Sequence, residues 1–125
     1  MIKAYIRIDN IKFQINLKNT NTSKKIIENL PLKGVCNSWG KEFYFYTKLN
    51  IPLEKTAKQI VEFGEIAYWP SGDAIAIGFG KTPISSGNEI KLADKCNIWA
   101  DTDYDLNNLD KLSNPNTIFI EKHDG

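Results

Sequence analysis

The sequence contains one histidine and one arginine among its 125 residues, and this scarcity excludes several kinds of site. His123 is the single histidine, so a metal site made of several histidines within one chain is excluded. A Ser-His-Asp or Cys-His catalytic arrangement would also have to use His123, which lies in a terminal segment that we expect to fray. We therefore predict no catalytic residues, no metal site and no cofactor.

Cysteine is nearly as scarce, and its two positions argue against a disulfide framework. Cys36 and Cys96 are far apart and match no Cys-x-x-Cys spacing. We predict two reduced thiols that act as small buried hydrophobic side chains. Reduced thiols are typical of a reducing compartment, so the sequence predicts a cytoplasmic location.

The sequence also lacks a long uncharged apolar segment and an excess of either charge. Residues 1–8 alternate in hydropathy and are interrupted by Lys3 and Arg7, a pattern that fits neither a signal peptide nor a membrane span. Sixteen basic residues against fifteen acidic ones leave a net charge of +1. This balance argues against binding to nucleic acid or to an anionic membrane, and we predict neither as a partner.

Two short stretches are similar to ligand-binding motifs but lack residues that those motifs need. Gly80-Lys81-Thr82 has the end of a phosphate-binding loop, but Ile75 stands where its first glycine belongs and Pro83 follows where a helix should begin. Asp101-x-Asp103-x-Asp105 has the opening spacing of a calcium loop, yet Leu112 occupies the position of its bidentate acid. We interpret the first stretch as a turn and the second as solvated carboxylates.

Residues 64–83 are the most informative part of what the sequence does contain. Strand-favouring residues are followed by the turn residues Pro70-Ser71-Gly72-Asp73 and then by a regular alternation, which together predict a β-hairpin. The second strand has large apolar residues on one face and small residues on the other, namely Ile75, Ile77 and Phe79 against Ala74, Ala76 and Gly78. The large residues would fill a core, while the small face lets backbone, a side chain or a ligand approach closely.

The rest of the chain alternates between strand patterns and short helical patterns. We predict further strands at residues 2–8, 11–17, 32–39, 42–47, 90–92, 97–100 and 117–121. Short helical segments are predicted at residues 24–30, 53–58 and 104–112. Because strands outnumber helices, the sequence predicts a mainly β protein.

Two linked motifs give the chain a family resemblance. Tyr68-Trp69-Pro70-x-Gly72 followed by Gly78-Phe79-Gly80-x-Thr82-Pro83, and the upstream Trp39-Gly40-x-Glu42-Phe43-Tyr44-Phe45, are similar to a family of small prokaryotic cyclophilin-like proteins of uncharacterised activity. The resemblance runs from the first hairpin to the last strand. It implies a closed cyclophilin-like β-barrel with two or three short helices. The length of the chain suits one domain of this kind, over residues 1–125.

The strand at residues 42–47 places Glu42, Tyr44 and Tyr46 on the face opposite Phe43 and Phe45. This composition suits a barrel wall that borders a groove, and it equally suits a wall covered by a loop. Aromatic neighbours would raise the pKa of Glu42 if its carboxyl group is buried. In the alternative interpretation, Glu42 accepts hydrogen bonds that hold the barrel together.

The leading hypothesis for function is an aromatic groove that binds a small molecule or a peptide, without catalysis by the protein's own side chains. The residues expected to line or support this groove are Trp39, Glu42, Tyr44, Tyr68, Phe79 and Thr82. The same residues would also form an ordinary barrel core.

The resemblance also suggests peptidyl-prolyl isomerase activity, in which an arginine stabilises the twisted prolyl amide. Here the single arginine is Arg7, which strand alternation places outside the barrel core, and the phenylalanine-histidine-arginine motif of the true cyclophilins is absent. A third hypothesis is an interaction module or homodimer that associates through exposed tyrosine and tryptophan residues.

Overall fold

The computed structural model describes residues 2–123, so Met1, Asp124 and Gly125 of the single domain predicted for residues 1–125 lie outside it. In the described range the chain forms ten strands: β1 (Lys3–Ile8), β2 (Ile11–Leu17), β3 (Leu32–Val35), β4 (Asn37–Ser38), β5 (Glu42–Tyr46), β6 (Lys58–Val61), β7 (Glu65–Trp69), β8 (Ala74–Gly78), β9 (Ile90–Asp101) and β10 (Thr117–Lys122). The same range contains one α-helix, α1 (Asn21–Glu28), and one 3₁₀ helix, at Leu106–Lys111. The predicted mainly β fold with short helices is confirmed.

The strands pair antiparallel and curl into a nearly closed barrel. Hydrogen-bonded neighbours follow the order β3-β10-β1-β2-β9-β7-β8-β5-β4, and β6 pairs separately with β9. The end strands β3 and β4 are consecutive in the chain, so the chain itself crosses the seam at Cys36. Gly34 and Phe45 pack across this seam, because a Cβ on Gly34 would lie 2.6 Å from Cδ2 of Phe45.

The interior of the barrel is filled by alternate residues of most strands, as strand periodicity requires. The largest fully buried side chains of the interior are Trp99, Tyr68, Phe45, Ile6, Ile8, Ile15, Ile26, Ile66, Ile75, Ile77 and Leu106. Ile26 belongs to α1, whose first turn is capped by the Thr20 hydroxyl accepting from the backbone N–H of Ser23 at 3.1 Å. This cap explains why α1 begins at Asn21, earlier than the predicted start.

The central hairpin of β7 and β8 is confirmed, and the structure identifies what approaches its small face. Ala76 packs in a second apolar cluster with residues of β6 and β9, separate from the barrel interior. A Cβ on Gly78 would lie 2.5 Å from Cγ2 of Ile90. The first half of β9 therefore lies directly over the outer face of β8, and side chains rather than backbone or ligand fill that space.

The helical segment predicted at residues 53–58 is wrong. Residues 51–54 have no regular secondary structure, residues 55–56 form a turn, and β6 begins at the end of the predicted segment. The buried Asn97 side chain explains the difference, because its Oδ1 accepts from the N–H of Glu54 at 2.8 Å and its Nδ2 donates to the Pro52 carbonyl at 2.9 Å. These long-range bonds satisfy the Glu54 N–H and the Pro52 carbonyl without a helix.

The strands predicted separately at residues 90–92 and 97–100 are one strand, β9. The exposed polar residues Asp94 and Lys95 interrupt the apolar pattern of the sequence, but in the structure they lie in a bulge within β9. Between two ladder pairs of β6 and β9, residues 92–95 lie opposite the single residue Gln59. A bulge bends a strand without ending it, so the outer sheet and the barrel share β9.

Two other elements and the closure of the barrel differ in detail from the predictions. The strand predicted at residues 32–39 is interrupted at Cys36, where the chain crosses the seam between β3 and β4. The helix predicted at residues 104–112 is the shorter 3₁₀ helix. The barrel predicted to be closed is nearly closed, because packing at the seam replaces a complete strand ladder in the described residues.

No helix within residues 2–123 has the length and hydropathy needed to cross a membrane.

Candidate functional site

A cavity of about 250 Å³ lies on the outer face of the barrel, between β5, the end of β7 and the bulge of β9. We call it the aromatic cavity. Its lining residues are Trp39, Glu42, Tyr44, Tyr46, Trp69, Leu92, Ala93 and Cys96. Four of the eight are aromatic and one is a carboxylic acid, so the cavity combines apolar walls with a single ionisable acid.

The β9 bulge forms one wall of the aromatic cavity. Leu92 and Ala93 lie within the bulge, and Cys96 follows at the point where β9 pairs again with Lys58. The side-chain amide of Gln59 donates to the Leu92 carbonyl at 3.0 Å and fixes the bulged backbone. Bulges are common beside binding sites because they redirect side chains without breaking the sheet.

Trp39 is positioned by the turn between β4 and β5. Gly40 has a φ of +61°, a backbone conformation that residues other than glycine rarely adopt. A Cβ there would lie 2.9 Å from the Lys81 carbonyl oxygen. Around this turn the Trp39 N–H donates to the Glu42 carbonyl at 2.9 Å, and the Lys41 N–H donates to the Lys81 carbonyl at 2.9 Å. The two motifs that carry the family resemblance therefore meet in space.

Trp69 is positioned by the turn of the central hairpin. A Cβ on Gly72 would lie 2.2 Å from Cε3 and Cζ3 of the Trp69 ring, so the indole lies flat against the turn backbone. The residue after this glycine, Asp73, has a φ of +53° and is anchored by the Tyr68 hydroxyl, which donates to its Oδ1 at 2.5 Å. Gly72 thus permits a close contact that holds the Trp69 ring at the cavity.

Glu42 is the unusual residue of the aromatic cavity. Only 6% of its surface is exposed, and among the described residues its Oε1 has no hydrogen-bond partner. Burial raises the pKa of the Glu42 carboxyl from 4.5 to about 7. This is the direction expected for a buried carboxyl group, and nothing in residues 2–123 donates a hydrogen bond to Oε1.

The electrostatic surroundings of Glu42 provide no compensating positive charge. Among the described residues that line the aromatic cavity, none is basic. Burial, with a smaller contribution from the charge of Glu42, raises the pKa of the Cys96 thiol to about 12. Burial and the neighbouring Tyr46 raise the pKa of Tyr44. Both groups stay protonated near neutral pH, so the cavity is neutral or carries one negative charge.

A second polar atom in the aromatic cavity has no partner. The Nε1 of Trp69 is buried, and in residues 2–123 nothing accepts its hydrogen bond. A third such atom is Nε1 of Trp99, in the barrel interior. Native structures pair most buried polar atoms, so two atoms without partners on residues that line one cavity call for an explanation.

The structure brings together three of the six predicted groove residues, namely Trp39, Glu42 and Tyr44. Phe79 instead packs in the barrel interior, with its ring centroid 4.8 Å from that of Phe43. Thr82 is buried beneath the loop that follows β8, where its hydroxyl donates to the Lys91 carbonyl. Phe79 and Thr82 support the surrounding structure without lining the aromatic cavity.

Tyr68 also lies outside the lining of the aromatic cavity. Its ring is fully buried in the barrel interior, and its hydroxyl accepts from the N–H of Ile51 at 3.1 Å while donating to Asp73. Burial, together with the hydrogen bond to Asp73, raises the pKa of Tyr68 to about 12. Strand alternation explains the placement: adjacent residues of β7 face opposite sides, so Trp69 points outwards where Tyr68 points inwards.

Sequence reasoning missed five lining residues: Tyr46, Trp69, Leu92, Ala93 and Cys96. Alternation with Glu42 and Tyr44 was a sufficient signal for Tyr46. Alternation with the interior residue Tyr68 was a sufficient signal for Trp69. The three β9 residues had no local signal, because a bulge and its pairing partner are set by tertiary contacts.

Other predicted features lie away from the aromatic cavity. Arg7 is exposed on β1, with its guanidinium 5.1 Å from the ring centroid of Phe119, so its predicted place outside the barrel core is confirmed. Cys96 is buried as predicted, whereas Cys36 is half-buried at the seam. Within residues 2–123 no group of three or more His, Cys, Asp or Glu side chains is arranged to hold a metal ion.

Comparison with known proteins relates this geometry to a family. A family model described as cyclophilin-like matches residues 2–121. The solution structure of a hypothetical protein from Archaeoglobus fulgidus is similar, with a TM-score of 0.81 and 30% sequence identity, over 98% of this chain and 95% of that chain. No curated protein matches the sequence.

Proposed function

The chain belongs to the cyclophilin-like family, and from this premise we propose that it binds a small molecule in the aromatic cavity. The fold itself supports either a binding domain or a domain similar to the prolyl isomerases. The cavity favours binding, because aromatic walls around a few polar groups are the usual composition of a ligand site.

The observation that carries the proposal is the unpartnered carboxyl group of Glu42. A buried polar group without a hydrogen bond destabilises a protein by about 1–3 kcal/mol. Glu42 and the Trp69 indole both meet this description within one cavity. A ligand that bonds to both groups would remove the destabilisation, so binding accounts for a feature that folding alone leaves unexplained.

The size of the cavity favours one of the two ligands in the leading hypothesis, a small molecule or a peptide. A volume of about 250 Å³ lies just below the range of about 300–1,000 Å³ that is typical of drug-sized ligands. A small molecule fits within it, whereas a peptide would place at most one side chain there. We therefore assign the site to a small molecule.

A thermal-shift screen tests the proposed function. We expect at least one compound from a library of small polar metabolites to raise the melting temperature of the wild-type protein. The hit should lose its effect in Tyr46→Ala, which removes a wall of the cavity. Phe63→Ala is the matched control, because Phe63 is 48% exposed and Tyr46 58% exposed, and Phe63 lies outside the cavity.

A screen without any hit, or hits that act equally on Tyr46→Ala and on wild type, would contradict the proposal. Stabilisation by peptides alone would replace the small molecule with a peptide ligand.

We also propose that residues 1–125 form one cytoplasmic domain without a nucleic-acid or membrane partner. The net charge of +1 and the free thiols of Cys36 and Cys96 support this assignment. Light scattering checks the alternative of a homodimer, for which the exposed Tyr46 ring would be available.

A further inference from the structure

We infer that the ligand of the aromatic cavity is a small organic cation, an amine or a methylated ammonium group, held by aromatic ring faces and the Glu42 carboxylate. This inference rests on the proposed binding function and specifies its ligand class. It depends on three properties of the cavity: its four aromatic rings, its single acid and the absence of a basic residue from its described lining.

The aromatic rings supply the first part of the recognition. Trp39 comes from the turn between β4 and β5, Trp69 from the end of β7, and Tyr44 and Tyr46 from β5, so the rings belong to three different parts of the cavity wall. The rings of Tyr44 and Tyr46 are perpendicular, at 87°, with centroids 5.6 Å apart. Aromatic rings on several sides of one small cavity suit an aromatic cage, in which the negative faces of the rings attract a cation.

Glu42 supplies the second part. A carboxylate that is 6% exposed with an unpartnered Oε1 lacks the positive partner that buried charges normally have. The titratable groups that face it are Tyr44 and Tyr46 on its own strand and Cys96 on β9. None of these groups is cationic, so a proton neutralises Glu42 below its raised pKa, and a cationic ligand would supply the partner that the ionised form lacks. A cation would favour the ionised form of Glu42, whose pKa burial otherwise raises.

The Trp69 indole specifies one more property of the ligand. Its buried Nε1 donates to no described residue, so it is available to an acceptor atom. A small cation that also carries a hydroxyl, ether or carbonyl oxygen would satisfy both unpartnered groups. An anionic ligand is disfavoured, because Glu42 would repel it without a basic residue to compensate.

A pair of probes of nearly identical shape tests this inference directly. Choline and 3,3-dimethylbutan-1-ol differ in having a quaternary nitrogen or a quaternary carbon, so only the first is a cation. Each is titrated into the wild-type protein at pH 8.5, where Glu42 is ionised, and binding is followed by NMR through the indole N–H signals of Trp39 and Trp69. We expect choline to bind at least about tenfold more tightly than the neutral alcohol.

Variants separate the contribution of the Glu42 carboxylate to choline binding from that of the aromatic rings. In Glu42→Gln the preference for choline should fall to about threefold or less, since only the ring faces remain. Glu62→Gln, an exposed acid outside the cavity, should keep the wild-type preference. Tyr46→Leu tests the cage at a 58% exposed position, where a folding defect is not expected, and should weaken choline binding severalfold.

Each other outcome identifies which conclusion fails. Equal binding of the two probes, or an unchanged preference in Glu42→Gln, would overturn the cation inference while leaving the proposed binding function in place. If neither probe binds but the thermal-shift screen yields a neutral or anionic compound, the cation inference is likewise overturned and the proposed binding function remains. If neither the probes nor any compound of that screen binds in the cavity, the proposed function fails as well.

Discussion

Glu42 shows how one buried acid can couple this protein's stability to pH. Its folded pKa of about 7 lies above the ordinary value of 4.5, so between these values the folded protein holds a proton that the unfolded chain has released. The free energy of unfolding therefore decreases as pH rises through this window. The difference between the two pKa values corresponds to a loss of about 3 kcal/mol in the free energy of unfolding at high pH. A bound cation would restore part of this stability.

Glu42→Gln should remove this dependence, because glutamine has no charge to bury. We expect the variant to become more stable than wild type as pH rises from about 4.5 to about 7, by up to about 3 kcal/mol at pH 8. Urea unfolding of both proteins at pH 4.5, 6 and 8 measures the difference. Parallel pH profiles for the two proteins would show that Glu42 is not the titrating group.

Tyr68 illustrates a residue whose importance is structural. Tyr68→Phe removes the acceptor of the buried Ile51 N–H and the donor to Asp73. We expect a loss of about 1–3 kcal/mol in the free energy of unfolding. Tyr5→Phe, at a half-buried position on β1, is the control and should change stability by less than about 0.5 kcal/mol. A stable Tyr68→Phe protein that has lost binding would return Tyr68 to the site.

At the scale of elements, the aromatic cavity results from two features of the β-sheet. The β9 bulge places Leu92 and Ala93 opposite the polar face of β5, and the turn between β7 and β8 holds Trp69 beside them. Neither feature belongs to the barrel core. The site can therefore be altered through its supporting turns while the interior packing is kept.

Gly72→Ala tests the turn that holds Trp69. The added Cβ would lie 2.2 Å from two atoms of the indole ring, so the ring has to move. We expect the Trp69 indole signal to shift in NMR and binding in the aromatic cavity to weaken, while the signals of the barrel interior stay in place. Gly87→Ala is the matched control, since nothing lies within 4 Å of its added Cβ. An unmoved Trp69 signal in Gly72→Ala would contradict this account.

At the scale of the whole molecule, a cyclophilin-like barrel need not retain isomerase chemistry. Prolyl isomerisation depends on a donor directed at the twisted amide, and arginine is suited to this role. The single arginine of this chain, Arg7, is exposed and stacked on Phe119 outside the barrel core. The chain thus has a cyclophilin-like fold, and its single arginine lies neither in the barrel interior nor in the lining of the aromatic cavity.

We expect no isomerase activity from the purified protein. In a protease-coupled assay on Xaa-Pro peptides, the rate should equal the spontaneous one, which is set by a barrier of ~18–20 kcal/mol. A true cyclophilin serves as the positive control in the same assay. Acceleration that disappears in Arg7→Ala would overturn this prediction.

The sequence by itself determined the mainly β fold, the central hairpin and the face on which Glu42 and Tyr44 lie. These features depend on local alternation, turn residues and short motifs, which a linear reading detects. Alternation within β7 likewise places Tyr68 and Trp69 on opposite faces.

Only the tertiary structure decided how the aromatic cavity is completed. The β9 bulge depends on pairing with β6, and the non-helical path of residues 51–54 depends on hydrogen bonds with Asn97, more than forty residues away in the chain. The missing partner of Glu42 is likewise a property of its surroundings in space. Long-range pairing and burial leave no local pattern, because the residues that create them are brought together only by folding.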